Sequence, residues 1–408
     1  MLGWEFPPYF AGGVGMVCYE LTKEFSKRDD VEITYLMPFG PNELGQNHVK
    51  LMVANNLISD KHIKIMKINS LLCAYDTFES YEDKINKIKF SLKTIEGGPT
   101  NALYGHNLLE EVYRFAEKAK LVAMLENFDV IHAHDWTTFP AAIKIKEITG
   151  KPFIAHVHIT EFDKSGGQGA NPEIYKVERE GMHAADKVIV VSNFVKNNIM
   201  NRYGVPESKI CVVHNGGVEM LESEASHKID DDCKYVLFAG RVTLQKGPEF
   251  FVEAARRVLE KEDNVKFILA GSGDQLNKVI EMAAEYGMAN KFMFTGFYNR
   301  DEAEKLFSMA DVFVMPSVSE PFGIVPLEAM YKGTPTIISN QSGVSEVLNH
   351  CMKVDFWDID EMANKILGVI KYKPLSNTLS ENGLREIQSF TWDKPAEKCM
   401  DVYNEVIL

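Results

Sequence analysis

The feature that most constrains this chain is an alternation of short β-branched apolar runs with helix-length amphipathic segments, kept up over most of its length. Candidate strands lie at residues 31–37, 62–68, 129–133, 152–158, 187–192 and 210–214, and a second series at 235–240, 265–271, 292–295, 311–315 and 335–339. Several are unbroken apolar runs, such as Val188-Ile189-Val190-Val191, rather than two-residue alternations. That is how a strand covered on both faces of a parallel sheet reads. Between them, Leu108, Val112, Phe115, Val122 and Leu125 recur on one face of a helix predicted over 107–126. Phe250, Phe251, Ala254, Ala255 and Val258 do the same over 246–261. Strand–helix alternation builds βαβ units, so the expected class is α/β with doubly wound, Rossmann-like sheets.

The alternation breaks once. Residues 216–234 open on Gly216-Gly217 and run through an acidic stretch to Asp230-Asp231-Asp232 with no strong periodicity, as a linker does. Two facing domains are expected, 1–215 and 235–392, followed by a helix over about 393–408 that carries Ala396, Met400, Tyr403 and Ile407 at near-helical spacing. A length of 408 residues suits two or three domains. Forty-four Lys+Arg against 58 Asp+Glu leave a net charge of −14, which argues against nucleic acid as a partner. A small phosphorylated ligand, gripped by one or two cations, is still accommodated. No run approaches the roughly 18 apolar residues of a membrane span. The first residues, Met1 to Pro8, lack a charged n-region and an apolar h-region, so no signal peptide is expected. Six scattered cysteines without a CxxC pair read as reduced core thiols of a cytoplasmic protein.

Doubly wound sheets take ligands beyond the carboxyl ends of their strands, which narrows the search to a few segments. Gly12-Gly13-Val14-Gly15 precedes an apolar-periodic segment, where glycine lets backbone N–H groups approach a phosphate; a plain turn is the competing reading. Gly240-Arg241 through Lys246-Gly247 follows the first strand of the second series and offers a guanidinium fork and a point charge, a fitting pair for a diphosphate. Glu320-Pro321-Phe322-Gly323-Ile324 leads into a helix carrying Glu328, a carboxylate among Leu327, Ala329 and Met330. An acid on so apolar a face is costly unless paired or ligand-bound. The two carboxylates suit the hydroxyls of a polyol such as ribose or glucose.

Two His-x-His pairs close strands: His132-Ala133-His134, followed by Asp135-Trp136, and His156-Val157-His158. Residues i and i+2 share a strand face, so each pair presents two imidazoles together. With Asp135 they make a candidate metal set, and a metal-dependent hydrolase is the rival it suggests. The alternatives are Asp135 and one histidine on sugar hydroxyls, and backbone-bonded core histidines, a reading that fits His132 and His156 best. Asp358-Ile359-Asp360 opens an amphipathic helix, where Asp serves as N-cap, so no obligatory metal is expected there.

Taken in order, these segments resemble the two-domain GT-B glycosyltransferases, and within them the retaining group-one and glycogen/starch-synthase-like hexosyltransferases. The resemblance is carried by Gly12-Gly13-Val14-Gly15, His134-Asp135-Trp136, His158, Val191-Ser192-Asn193, His214-Asn215-Gly216, Gly240-Arg241 with Lys246-Gly247, the Glu320…Glu328 pair around Pro321-Phe322-Gly323, and Phe390-Thr391-Trp392. It implies a nucleotide-sugar donor, ADP- or UDP-glucose, and a glucan or oligosaccharide acceptor on the first domain's side, with no obligatory cofactor. By position it assigns Arg241 and Lys246 to the donor diphosphate with Gly12 and Gly13 opposite, Glu328 to the ribose and Glu320 to the hexose. The amides of Phe322, Gly323 and Ile324 fall to sugar or phosphate oxygens, His158 to the hexose and transition-state charge, and Asp135 to the acceptor side. It also implies a last helix that crosses back to the first domain.

Two departures stand out. Polyglucan synthases of this group usually carry Lys-x-Gly-Gly near their start, where this chain has Phe10-Ala11-Gly12-Gly13, although its His-Asp-Trp segment is similar to theirs. Only Met1 and Leu2 precede Gly3, so the first strand is expected to be very short or to start upstream. Enzymes of the same fold that make disaccharides or sugar phosphates, or that modify lipid and envelope saccharides, are the alternative classes. The last would use a basic face such as Lys84, Lys87, Lys89 and Lys93 for peripheral membrane contact.

Overall fold

The computed structural model describes residues 1–7, 13–38, 48–54, 108–167, 169–217 and 232–407. The segments predicted at 62–68 and around Lys84–Lys93, and Gly12, lie outside these residues.

The first sheet comprises β1 (Thr34–Met37), β2 (Lys50–Val53), β3 (Ile131–His134), β4 (Phe153–Val157), β5 (Lys187–Val190) and β6 (Ile210–Val212), all paired in parallel. β1 pairs with β2, and β3 to β6 pair in order. Residues 1–3 bridge the two groups. Leu2 pairs in parallel with Leu36 of β1 and Ala133 of β3; its N–H donates to His132 O at 2.8 Å, and His134 N–H donates to Leu2 O at 3.0 Å. Among the described residues, 1–3 occupy the position of the first strand, which was expected to be very short or to start upstream.

The second sheet holds β7 (Lys234–Ala239), β8 (Val265–Ala270), β9 (Phe292–Gly296), β10 (Val312–Met315), β11 (Thr336–Ser339) and β12 (Met352–Val354), in the order β12-β11-β10-β7-β8-β9, again parallel. The chain runs outward from β7 in one direction and from β10 in the other, so the crevice between these two strands is the topological switch point. Every residue of β10 and β11 is buried, as their apolar runs require.

Helices cover both faces. In the helix Pro248–Leu259, Phe251, Ala254, Ala255 and Val258 are fully buried, while Phe250 is half-buried. The helix Leu108–Ala123 buries Val112, Phe115 and Val122, but Leu125 is exposed: the helix stops at Ala123, so Leu125 leaves the apolar face its spacing suggested. The helix Lys373–Ile387 had no periodic signal, in keeping with a sequence rich in Ser, Asn and Gly that buries only Gly383 and Ile387. Asp358 caps the helix Ile359–Lys371, accepting from Glu361 N–H at 3.0 Å. Among the described cysteines, Cys18 and Cys399 are buried, whereas Cys211, Cys233 and Cys351 are half-buried and correct the expectation that all are core residues. No helix among the described residues is long and apolar enough to cross a membrane.

The last helix, Asp393–Ile407, lies against the first sheet's layer. Trp392 Nε1–H donates to Gly217 O at 2.6 Å and Gly217 N–H to Phe390 O at 3.0 Å, stitching together the two places where the chain passes between sheets. Beyond this stitch Ala396, Cys399, Val402 and Tyr403 share a core with Val17, Leu21 and Phe25 of the helix Gly13–Phe25.

Candidate active site

On the second sheet the site is built from the turns after β7 and β10. After β7 come Gly240, exposed Arg241 and a short 3-10 turn, Leu244–Lys246, before Gly247. Gly247 has φ 63°, and a Cβ there would lie 2.3 Å from Pro316 O, so only glycine lets this turn close onto the segment after β10. The close approach brings the Lys246 ammonium to the Glu320 carboxylate, with which it forms an ion pair, the side chains being 15% and 8% exposed. Ser317 Oγ donates to the same carboxylate oxygen at 3.2 Å. Gly343 N–H and Val344 N–H hold the Glu320 and Phe322 carbonyls at 2.9 and 2.7 Å. Within the described residues no hydrogen bond engages the N–H groups of Phe322, Gly323 or Ile324, which therefore remain available to an oxygen-rich ligand.

On the first sheet the switch point falls between residues 1–3 and β3, where His134-Asp135-Trp136 emerges. Asp135 has φ 58°, the one non-glycine residue with positive φ among those described. Held there, its Oδ1 accepts from the N–H groups of His158 at 2.7 Å and Ile159 at 3.3 Å. Strain of this kind persists only where surrounding contacts hold it, and it concentrates at functional sites. Burial pushes the Asp135 carboxyl from 3.8 up to about 7, against the opposing pull of those amides and of Lys164. The folded chain therefore keeps a proton that the unfolded chain releases near pH 4. The resulting stability is full below that pH and is lost as pH rises through 7. Asp135→Asn, which keeps the acceptor oxygen, is expected to gain about 2 kcal/mol on the wild type between pH 5 and 8. Urea unfolding at both pH values reads this, and identical pH profiles would exclude it.

The four histidines stack between β3 and β4. His132 Nε2 meets His156 Nδ1 at 3.0 Å, and His134 Nδ1 meets His158 Nε2 at 2.9 Å, while His132 Nδ1 meets Tyr403 Oη of the last helix at 2.5 Å. Among the described residues neither the His132 nor the His156 ring bonds to backbone, which corrects the reading of them as backbone-bonded core histidines; cross-strand register pairs them with each other instead. Burial and the neighbouring imidazoles hold the group well below the usual histidine range, and His158 is brought to about 3 by burial. His132, His134 and His156 place ring nitrogens within 4.8 Å of one another, the spacing of a metal triad. The bonds to Tyr403, His156 and His158 already occupy both nitrogens of His132 and one each of His134 and His156, and no carboxylate among the described residues joins the group.

The two halves meet around one cleft of about 350 Å³. The second domain lines it with Arg241, Lys246, Glu320 and Phe322-Gly323-Ile324, and the first with Gly13 and His158. Two expected residues lie elsewhere. Asp135 lines an adjoining recess of about 20 Å³ with Trp4, Trp136 and Lys164, which shares Val14 and Ile159 with the cleft. Glu328 is half-buried in the helix Val325–Tyr331 and does not line the cleft; burial pushes its carboxyl to about 7, opposed by Arg300, and burial first, then the charge of Glu328, raises the cleft-lining Tyr298 phenol. Sequence reasoning passed over Tyr298 and Ser272. Both follow strand carboxyl ends next to glycine, in Gly296-Phe297-Tyr298 and Gly271-Ser272-Gly273, and that signal would have found them.

Direct ties close the interface beside the cleft. Ser192 Oγ donates to Pro321 O at 2.6 Å, and Ser319 Oγ to buried Asp163 at 2.8 Å. Glu346 accepts from the N–H groups of Asn193 and Phe194 at 2.9 and 2.6 Å, at the start of the helix Asn193–Tyr203, and pairs with His214 at 3.0 Å. The Val191-Ser192-Asn193 and His214-Asn215 segments thus join the domains.

Residues 11–216 match the family model described as Glycosyltransferase Family 4, and residues 219–386 that of Glycosyl transferases group 1. An uncharacterized glycosyltransferase of Methanocaldococcus jannaschii is 28% identical over 424 aligned positions, covering 99% of this chain and 97% of that protein. A glycogen synthase of Mycobacterium tuberculosis is 29% identical over 352 positions, covering 85% of this chain and 79% of its own length. Sucrose-phosphate synthase of Thermosynechococcus elongatus superposes on 99% of this chain and 97% of its own with a TM-score of 0.73, at 19% identity, a likeness of fold.

Proposed function

Since this chain belongs to the group-1 glycosyltransferases of GT-B fold, we propose that it transfers glucose from a nucleotide sugar, ADP- or UDP-glucose, to a glucan or other carbohydrate acceptor with retention of anomeric configuration. The observation that carries this reading is the cleft in which Arg241, the Lys246–Glu320 pair and the unbonded amides of Phe322-Gly323-Ile324 face His158 and Gly13 from the other domain. Similarity to a glycogen synthase supports the glucan acceptor.

In this reading Arg241 and Lys246 hold the diphosphate and Glu320 orients the hexose through its hydroxyls. Glu328 acts on the ribose side behind Tyr298. When the bond from the anomeric carbon to the diphosphate breaks, negative charge develops on the leaving phosphate, and the two cations stabilise it in place. The departing phosphate takes the acceptor proton, so no protein nucleophile is needed, and the chemistry requires no metal. His158, held neutral, serves as a hydrogen-bonding group rather than a proton donor. The acceptor approaches past the Asp135–Trp136 recess. The reaction takes place in the cytoplasm.

The test is a donor screen. The protein is incubated with ADP-, UDP- or GDP-glucose and glycogen, nucleoside diphosphate release is followed, and the anomer of the new linkage is read by NMR. Release with at least one donor and an α-linked product is expected; no turnover with any donor, or abolition by chelation, overturns the reading.

A further inference from the structure

The paired histidines carry information about protons. Register places His134 of β3 opposite His156 of β4, and alternation puts His132, His134, His156 and His158 on one side of the sheet. The rings form two layers: His132 lies over His134 with centroids 4.4 Å apart, and His156 over His158 at 4.1 Å. Within each layer the rings meet head to head, with centroids 5.2 Å apart. Since burial keeps all four neutral, every ring has one N–H and one lone pair.

The His134–His158 layer then has two arrangements. In the first, His134 Nδ1–H donates to His158 Nε2, which leaves the His158 proton on Nδ1 and a bare lone pair on His134 Nε2. In the second, His158 Nε2–H donates to His134 Nδ1, which moves the His134 proton to Nε2. That nitrogen is buried and has no hydrogen-bond partner, in a residue 1% exposed. Each arrangement leaves one N–H without a partner, on His158 Nδ1 in the first and on His134 Nε2 in the second. His158 is 7% exposed and lines the cleft, where a solvent or ligand oxygen accepts that N–H, whereas His134 is 1% exposed and does not line it, so the first arrangement is favoured. The backbone is fixed in the same sense, because Asp135, next in sequence, clamps the His158 N–H at 2.7 Å. His158 Nδ1, buried and without a partner, is left for whatever enters the cleft that His158 lines.

We propose that His134 is a positioning residue that fixes His158 as its Nδ1–H tautomer, so that His158 meets the sugar nucleotide as a hydrogen-bond donor to an oxygen acceptor. The inference rests on the proposed reading for what occupies the cleft, while the tautomer itself is measured without any donor. The protein is labelled with [15N]histidine, and long-range 1H–15N correlations are recorded on the wild type, with His158 assigned from the peaks lost in His158→Asn. The expected result is a protonated, pyrrole-type Nδ1 and a pyridine-type Nε2. A protonated Nε2 overturns the proposal, and failure of the donor screen leaves this outcome untouched. In His134→Phe, His158 is expected to shift to the Nε2–H form or to average between the two, with kcat/KM roughly tenfold lower, the loss of one hydrogen bond to the reacting sugar. Retention of the Nδ1–H form in a folded His134→Phe variant counts against the proposal. Should that variant not fold, the wild-type spectrum decides alone.

Discussion

Replacing Lys246 by Ala is expected to lower turnover about 10²- to 10³-fold, the scale on which loss of one preorganised charge partner to a developing anion is felt. Arg241 remains in the lining of the cleft, so under the proposed function donor binding is expected to persist while the leaving diphosphate is less stabilised. The substitution has a second consequence. Glu320, whose side chain is 8% exposed, loses its counter-charge and keeps, among the described residues, Ser317 as its one side-chain hydrogen-bond donor. Stranding one member of a buried pair destabilises by up to about 3 kcal/mol. The double variant Lys246→Ala, Glu320→Gln removes both charges and separates the effects. Its thermal stability is expected to return toward the wild type, while turnover stays low. Turnover near normal in Lys246→Ala, measured as nucleoside diphosphate release, would refute the assignment of this lysine to the diphosphate.

The second large effect is purely steric. Gly271 follows β8 with φ 141°, and a Cβ there would lie 1.8 Å from Gly240 O and 2.9 Å from Gly240 C. The turns after β7 and β8 press together with no room between them, and both line the cleft. Gly271→Ala combines a backbone conformation foreign to L-residues with an overlap that only a main-chain shift relieves, together about 4 kcal/mol. Gly150, at φ 69° with nothing within 4 Å of its added Cβ, provides the control. Gly150→Ala bears the conformational cost alone, about 1 kcal/mol. Urea unfolding of the two variants should show the difference. Equal losses would mean that close approach to Gly240 is not what demands glycine at 271.

Most strands were legible because unbroken apolar runs report two-sided burial wherever the fold places them, as in β4, β5 and β10. β2 and β12 were not. Each is a short strand of three or four residues, at an edge among the described strands, only partly buried, and too brief to establish a period. At the site, the glycines, cations and acids at strand ends were readable one segment at a time, from turn chemistry and from charge set against an acidic background. Their relation to one another was not. Lys246 and Glu320 read as separate donor contacts and prove to be paired. Asp135 read as lying on the acceptor side, and only the structure shows that its carboxyl group also clamps the His158 backbone, at the edge of a recess adjoining the cleft.

By itself, then, the sequence determined the α/β class, the two series of strands and the places where ligand groups concentrate, because periodicity and turn preference depend on neighbouring residues. Only the tertiary structure decided which of those groups meet. Lys246 and Glu320 are 74 residues apart in the chain, His134 and His158 are 24 apart, Glu346 caps a helix starting 153 residues earlier, and Tyr403 reaches His132 from 271 residues away. Strand order, register and the docking of two domains set these distances, and none of the three is encoded in a local pattern.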